Sequence, residues 1–405
     1  METAIRKSSA TTVAFAQLAV AWVTMFVVGS DLFVVSPLLP LISADYTVPP
    51  ASAGLSVTVF AVTYMLSAPA FGHLADRVGR ERVLTCCLCA FGTANLLTAI
   101  AGDFTWLIAA RIVAGAAAAG VSPSVYALIG SSAPPERRAT RLAIVVSGLL
   151  MSLSFGTPIG LLIAASLGWS IVFAALAALS LLLAWANKRV WHVPPAAETR
   201  AVPAHRLTAT VLAARLAPTV LWSAALYAVY TYIGEGLSAS GYSTEQIAEV
   251  ILFYGCGAIT GTLIGGRIAD RLGARLTISI GLSGLSSCLL LLLVALHLGV
   301  IVNGAFGLAS LSAQLFFPAQ QLRLADQFPG SRAVMLAWNN SALFLGISLG
   351  SLIGGQAIAL GGFDTDLIIA AAIAIVAWIT NQDGCRGHAE VGITLPHQPF
   401  GVGAG

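Results

Sequence analysis

Apolar stretches of membrane-crossing length recur along the whole chain, divided by short polar, glycine- or proline-containing links. Twelve can be drawn: 14–40, 51–72, 83–101, 105–128, 139–165, 168–187, 211–236, 246–267, 275–297, 299–322, 333–359 and 364–381. A helix of roughly 20 apolar residues crosses a hydrocarbon layer about 30 Å thick. The pattern predicts an all-α membrane protein of twelve transmembrane helices in two pseudo-symmetric six-helix bundles. One longer link, 188–210, is rich in charge and proline and separates a first bundle (1–187) from a second (211–381). The polar, glycine-rich stretch 382–405 carries no such pattern, and a disordered cytoplasmic tail is expected there.

The basic residues give this series a direction. Arg6 and Lys7 precede the first predicted helix; Arg77, Arg80 and Arg82 follow the second; Arg137, Arg138 and Arg141 the fourth. Lys188, Arg189, Arg200, Arg206 and Arg215 lie between the sixth and seventh; Arg267, Arg271 and Arg275 follow the eighth; Arg323 and Arg332 the tenth; Arg386 the twelfth. All occupy one side of a twelve-helix arrangement, and only Arg111 lies elsewhere, inside the fourth helix. The opposite ends carry Asp45, Asp103, Glu245, Asp364 and Asp366 and no Lys or Arg. By the positive-inside rule both termini are expected in the cytoplasm, with the protein in the inner (plasma) membrane.

Composition sharpens this reading. Hydrophobic residues make up 58% of the 405 residues and charged residues 9%, against about 25% charged in soluble domains. A soluble surface is excluded, so the lipid bilayer is the solvent. The net charge of +3 offers no nucleic-acid surface. The basic start followed by a long apolar run, with no small-residue cleavage site, reads as a retained first helix. Of the six cysteines, Cys86, Cys87 and Cys89 crowd one helical turn without His or acidic partners, and read as small packing residues rather than a metal site.

A repeat runs through the chain. Gly72-His-Leu-Ala-Asp76-Arg77-Val-Gly79 returns as Gly266-Arg-Ile-Ala-Asp270-Arg271-Leu-Gly273, displaced by 194 positions. The same displacement relates Pro135 to Pro329, Arg138 to Arg332, Ser147 to Ser341, Gly156 and Gly160 to Gly350 and Gly354, and Gly168 to Gly362. One constant shift implies two halves in the same orientation, related by an axis along the membrane normal, with the binding site between them.

These segments carry a family resemblance that covers nearly the whole chain except the tail. GHLADRVGRER (72–82) is similar to the loop 2–3 signature of the major facilitator superfamily. LIAARIVAG (107–115) resembles its helix 4 signature, with Arg111 as the key residue. SGLLMSLSFGTPIG (147–160), followed by Gly168-Trp169, resembles its helix 5 antiporter signature, carried by Gly156, Pro158 and Gly160. SDLFVVSPLLP in helix 1 resembles the first helix of twelve-helix drug and sugar efflux proteins. Two positions depart from the pattern. Glu81 stands where a basic residue is usual, and Thr157 separates Gly156 from Pro158, as in the sugar-efflux branch. The resemblance implies that Gly72, Asp76, Arg77, Gly79, Arg80, Asp270 and Arg271 form a gating motif that latches the outward-open state, and that the helix 5 glycines serve rocking. A solvated charge cluster and plain helix packing are the simpler readings.

Asp31 is the sharpest candidate for chemistry. A charge near the bilayer centre costs about 2.5–3.5 kcal/mol on insertion scales. It is tolerable where the group faces water, is protonated or is paired, and each option suits a proton-coupling carboxylate. Counted from the helix ends, Arg111 lies at comparable depth, so the two form a candidate switch pair; a static ion pair is the alternative. The 194 shift puts Ala225 and Ala305 at the corresponding places, so coupling is expected in the first half. Trp222, Tyr227, Tyr230, Gln314, Asn339 and Asn340 are candidate substrate-cavity residues, with helix packing as the competing role. Glu235 reads as a solvated mouth residue.

No glycine loop followed by Lys and no HExxH pattern is present in the sequence, and the CxxC spacing of Cys86 and Cys89 lies in an apolar run without His or acidic partners, so it is not read as a metal pattern. No cofactor, no metal and no enzymatic activity is expected. The combined reading is a monomeric secondary transporter that exports a small molecule (drug, sugar or metabolite) in exchange for protons. Uptake by symport or uniport is the alternative, and a transport-dead sensor or scaffold a more distant one.

Overall fold

A computed structural model describes residues 2–134, 137–191, 209–296, 301–328 and 332–383. The chain is helical almost throughout. The first half comprises α1 (Glu2–Tyr46), α2 (Leu55–Val78, after a short turn Pro50–Ala53), α3 (Arg80–Ala99) and α4 (Phe104–Ser132). It continues with α5, which runs Arg138–Met151, Ser152–Gly156 as π-helix and Thr157–Leu167, and with α6 (Trp169–Val190). The second half comprises α7 (Ala209–Thr231, continued by Ile233–Ala239), α8 (Thr244–Leu272), α9 (Ala274–Ala295) and α10 (Val302–Gln314 and Phe316–Gln327). The last helical stretch, Arg332–Asp383, is broken at Gly361–Gly362 into α11 (332–360) and α12 (363–383).

Among the described residues ten helices are long and apolar enough to cross a membrane, with 332–383 counted once and the divided α10 not at all. Separating those gives twelve. Helix ends differ from the sequence expectation by a few residues: α6 continues to Val190, so Lys188 and Arg189 are helical. The rest of the expected linker (192–208) and the tail from 384 lie outside the described residues.

Local chemistry explains the ends. Asp103 starts α4 by accepting a 2.8 Å hydrogen bond from the Trp106 amide, and Ser243 with Gln246 forms a capping box on α8. Gly79 and Gly273 each join two helices directly, at φ +96° and +85°. That left-handed region is cheap only for glycine. Among the described residues, those with positive φ are Thr47, Gly79, Gly168, Gly241, Gly273 and Gly362. They fall into three pairs, each 194 residues apart: 47 with 241, 79 with 273, and 168 with 362. The repeat read from side chains is thus also a repeat of the backbone. It includes one pair, Thr47 and Gly241, that sequence identity hides.

The shift governs packing as well. In the first half α5 lies on α1 through glycines: a Cβ at Gly156 would stand 2.3 Å from Ser30 Oγ, and one at Gly160 2.6 Å from Val34. In the second half α11 lies on α7 in the same register, Gly350 against Ala224 and Gly354 against Ala228. Small residues at such spacing let helix backbones approach where lipid supplies no hydrophobic drive. Large apolar side chains such as Leu66, Leu167, Leu182, Trp185 and Leu360 are exposed around the outside, as a lipid-facing belt requires.

The halves meet on the face opposite the arginines. There the Tyr232 hydroxyl bonds the Ser351 carbonyl and crowds Gly54, Ser351 Oγ bonds the Gly54 carbonyl, and Gly234 lies against Pro37. Deeper in, Tyr230 bonds the Phe33 carbonyl and Gly255 of α8 touches Ser154 of α5. Open space lies beside glycines at both faces, Gly72, Gly79, Gly266 and Gly273 on the arginine-bearing one and Gly168, Gly241 and Gly362 on the other.

Candidate functional site

Asp31 and Arg111 meet. Arg111 Nη1 donates to Asp31 Oδ1 at 2.7 Å, and the residues are 1% and 0% exposed. The pair is single-pronged: Asp31 Oδ2 and Arg111 Nε are buried and have no hydrogen-bond partner among the described residues. The guanidinium carbon stands 4.7 Å from the centroid of the Phe60 ring and 5.7 Å from that of Phe173, so α2 and α6 clamp it between aromatic faces. A desolvated cation over a ring gains about 2 kcal/mol, which offsets part of its burial. Gly115, one turn beyond Arg111 on the same face of α4, makes this possible; a Cβ there would stand 2.3 Å from the Phe60 carbonyl oxygen.

The carboxylate sits beside an irregular point of the scaffold. Just before it on α1, Gly29 packs on Ser152 and Ser30 lies against Gly156. Ser152 and Gly156 bound the π-helical segment of α5. Its cause is local. Pro158 has no N–H to give, and Thr157 reaches back five residues with both its amide and its hydroxyl to the Ser152 carbonyl. A π segment departs from the regular ladder and often marks a functional place. Two residues after Asp31, the Phe33 carbonyl accepts from Tyr230 of the other half at 3.1 Å. The Asp31 segment is therefore tied to α4, α5 and α7.

The other sequence candidates divide. Tyr230 is buried in an aromatic group with Tyr227, Tyr254 and Phe33, at ring separations of 5.9, 5.2 and 6.0 Å. Trp222 is buried, stacks on Phe316 at 4.8 Å and donates to the Ala313 carbonyl. Asn339 is buried and accepts from Thr219 at 2.7 Å, joining α11 to α7. These three pack helices in the conformation described. Tyr227, Gln314 and Asn340 are half-buried. Asn340 faces the Tyr64 hydroxyl, which also neighbours Ser122, and Tyr64 stacks on Phe344 at 3.7 Å across the two halves. Sequence reading missed Phe60, Phe173, Tyr64, Phe344 and Tyr254. An apolar or aromatic residue inside an apolar helix carries no signal of its own. Gly115 had one, its four-residue spacing from Arg111.

Gly72, Arg77, Asp270 and Arg271 are exposed on the arginine-bearing face, whereas the Asp76 side chain lies outside the described residues. Arg80 is half-buried there and keeps an interaction with its surroundings. Glu235 is half-buried at the end of α7. Asp366, expected at the end opposite the arginines, lies in the first turn of α12 and is fully buried.

The Major Facilitator Superfamily profile matches residues 21–243 and 227–382. The uncharacterized MFS-type transporter YceJ of Bacillus subtilis (strain 168) is 30% identical over 349 residues, covering 82% of this chain and 86% of its own. YbcL of the same organism, likewise an uncharacterized MFS-type transporter, is 29% identical over 339 residues with the same coverage. Among solved structures, a bacterial homolog of the human lysosomal transporter Spinster, in an inward-facing and occupied conformation, superposes with a TM-score of 0.76. It is 17% identical and the match covers 93% of this chain and 97% of that one.

Proposed function

The chain belongs to the major facilitator superfamily, and we propose that it exports a small molecule in exchange for protons, with Asp31 as the proton carrier. As a superfamily member it is a multi-pass membrane transporter. One observation carries the finer reading: the buried Asp31–Arg111 pair leaves one carboxylate oxygen without a hydrogen-bond partner among the described residues. A proton arriving at Oδ2 neutralises Asp31 and weakens its hold on Arg111. Arg111 then keeps its charge and rests on the faces of Phe60 and Phe173. Helix α1 loses an electrostatic tie to α4, while its contacts to the π segment of α5 and to Tyr230 of the second half persist. Such a change beside an irregular helix biases which face of the protein is closed.

Orientation is part of the proposal. With the arginines on the cytoplasmic side, the closed face is external and the face beside Gly72 and Gly266 opens inward. The solute enters between the halves from that side, near Tyr64, Tyr227, Gln314 and Asn340. The helix 5 motif, seated against Asp31's own segment, supports antiport over symport.

Everted membrane vesicles with an acid interior test direction and coupling together. Adding members of a panel of drugs and sugars outside is expected to make the lumen lose protons for at least one compound. A solute that enters and carries protons in with it would identify a symporter instead.

A further inference from the structure

Asp366 is used by nothing above, and its surroundings are unusual. It is 0% exposed, and neither carboxylate oxygen has a hydrogen-bond partner among the described residues. It lies near the phenol of Tyr232, the residue that closes the external face by reaching Ser351 and crowding Gly54 of the first half.

The titratable groups on the helices around it are few. On α7 they are Tyr230 and Tyr232, with Glu235 one turn outward; α9 brings Cys288, the 7–8 link brings Tyr242, and α12 itself carries exposed Asp364. Helices α10 and α11 bring none at this level, and the arginines of α7, α9 and α10 lie at the opposite end. An ionised carboxylate left in such a place would cost several kcal/mol, far more than its neutral acid. Its twin 194 residues earlier is Val172, also buried, so the fold does not need an acid there.

We propose that Asp366 is a second proton site, which holds the external gate shut only while protonated. With the gate open, water reaches the carboxyl and it ionises freely; closing over it requires the neutral form. The proton comes from and returns to the external side, so the site senses external pH and does not move protons across the membrane. This rests on alternating access between the two faces, and is independent of proton exchange at Asp31.

The test uses the full chain in lipid nanodiscs, with the six native cysteines replaced and spin labels at exposed positions 55 and 239, on either side of the gate. It is run in an Asp31→Asn background, so that the first proton site is silent. The closed population is expected to grow as pH falls, by up to about tenfold in the closed-to-open ratio per pH unit. Adding Asp366→Asn, close in shape to the neutral acid, or Asp366→Val, the twin's residue, should leave the gate closed at every pH. Two variants guard against one failing to fold. A gate that ignores pH with Asp366 intact overturns the proposal, and so does a pH response that survives either substitution. Neither result touches solute-driven proton release through Asp31.

Discussion

The two halves share a backbone and differ in chemistry. Their left-handed residues fall 194 positions apart, and their glycine contacts, α5 on α1 and α11 on α7, keep the same register. Yet Asp31 and Arg111 face Ala225 and Ala305 in the second half, both buried and uncharged. Phe60, which clamps the guanidinium, corresponds to Tyr254, and the π segment of α5 corresponds to unbroken helix around Gly346 and Gly350. Conversely, Val172 corresponds to Asp366. A duplicated frame of this kind shows which residues the fold requires, because those recur, and which were added for a task, because they do not.

The alanine twins provide the largest expected effect. Asp31→Ala or Arg111→Ala alone leaves a buried charge without its partner, at a cost of roughly 3–5 kcal/mol. Changing both reproduces the pattern of the second half, which packs without charge. Thermal unfolding in detergent should therefore show the double variant nearer the parent than either single one. A double variant as unstable as the sum of the two would mean that the first half has lost the ability to close over alanines.

The helix contacts give a smaller effect. A Cβ at Gly350 would meet backbone, the Ala224 carbonyl oxygen, which cannot rotate away, whereas one at Gly156 would meet the Ser30 hydroxyl. Gly350→Ala should cost about 1–3 kcal/mol, the usual penalty of overpacking. Gly156→Ala should cost less, and adding Ser30→Ala should restore most of it. Equal losses that Ser30→Ala leaves unchanged would show that the two contacts are equally rigid.

The smallest effect concerns the hidden pair. Thr47 holds φ +51° where its twin is Gly241 at +87°. A left-handed residue other than glycine costs roughly 1–2 kcal/mol, so Thr47→Gly should raise the melting temperature slightly and Gly241→Thr should lower it.

Much of the frame was legible from the chain. Apolar run length, the one-sided arginines and the Gly72–Gly79 repeat sufficed for twelve helices in two related halves, because lipid forces helices to satisfy their own backbones. The π segment was not legible; it depends on Thr157 giving both its amide and its hydroxyl to the Ser152 carbonyl, beside Pro158, which has no N–H to give. In the site, Asp31 and Arg111 stood out because charge is rare in an apolar helix. The residues that make their pairing possible, Phe60, Phe173 and Gly115, look like their neighbours in sequence and acquire a role only in three dimensions. Trp222 and Asn339, polar or large in an apolar helix, suggested either a cavity or helix packing, and here they join helices. Asp366 was visible as a residue on the side opposite the arginines, whereas its burial depends on how α12 packs and was not legible.

The sharpest test of proton carriage by Asp31 is solute-driven proton release from everted vesicles, compared between the parent and Asp31→Asn at equal solute uptake. The asparagine variant should move solute down its own gradient and release no protons. Release of as many protons per solute as the parent would contradict the assignment.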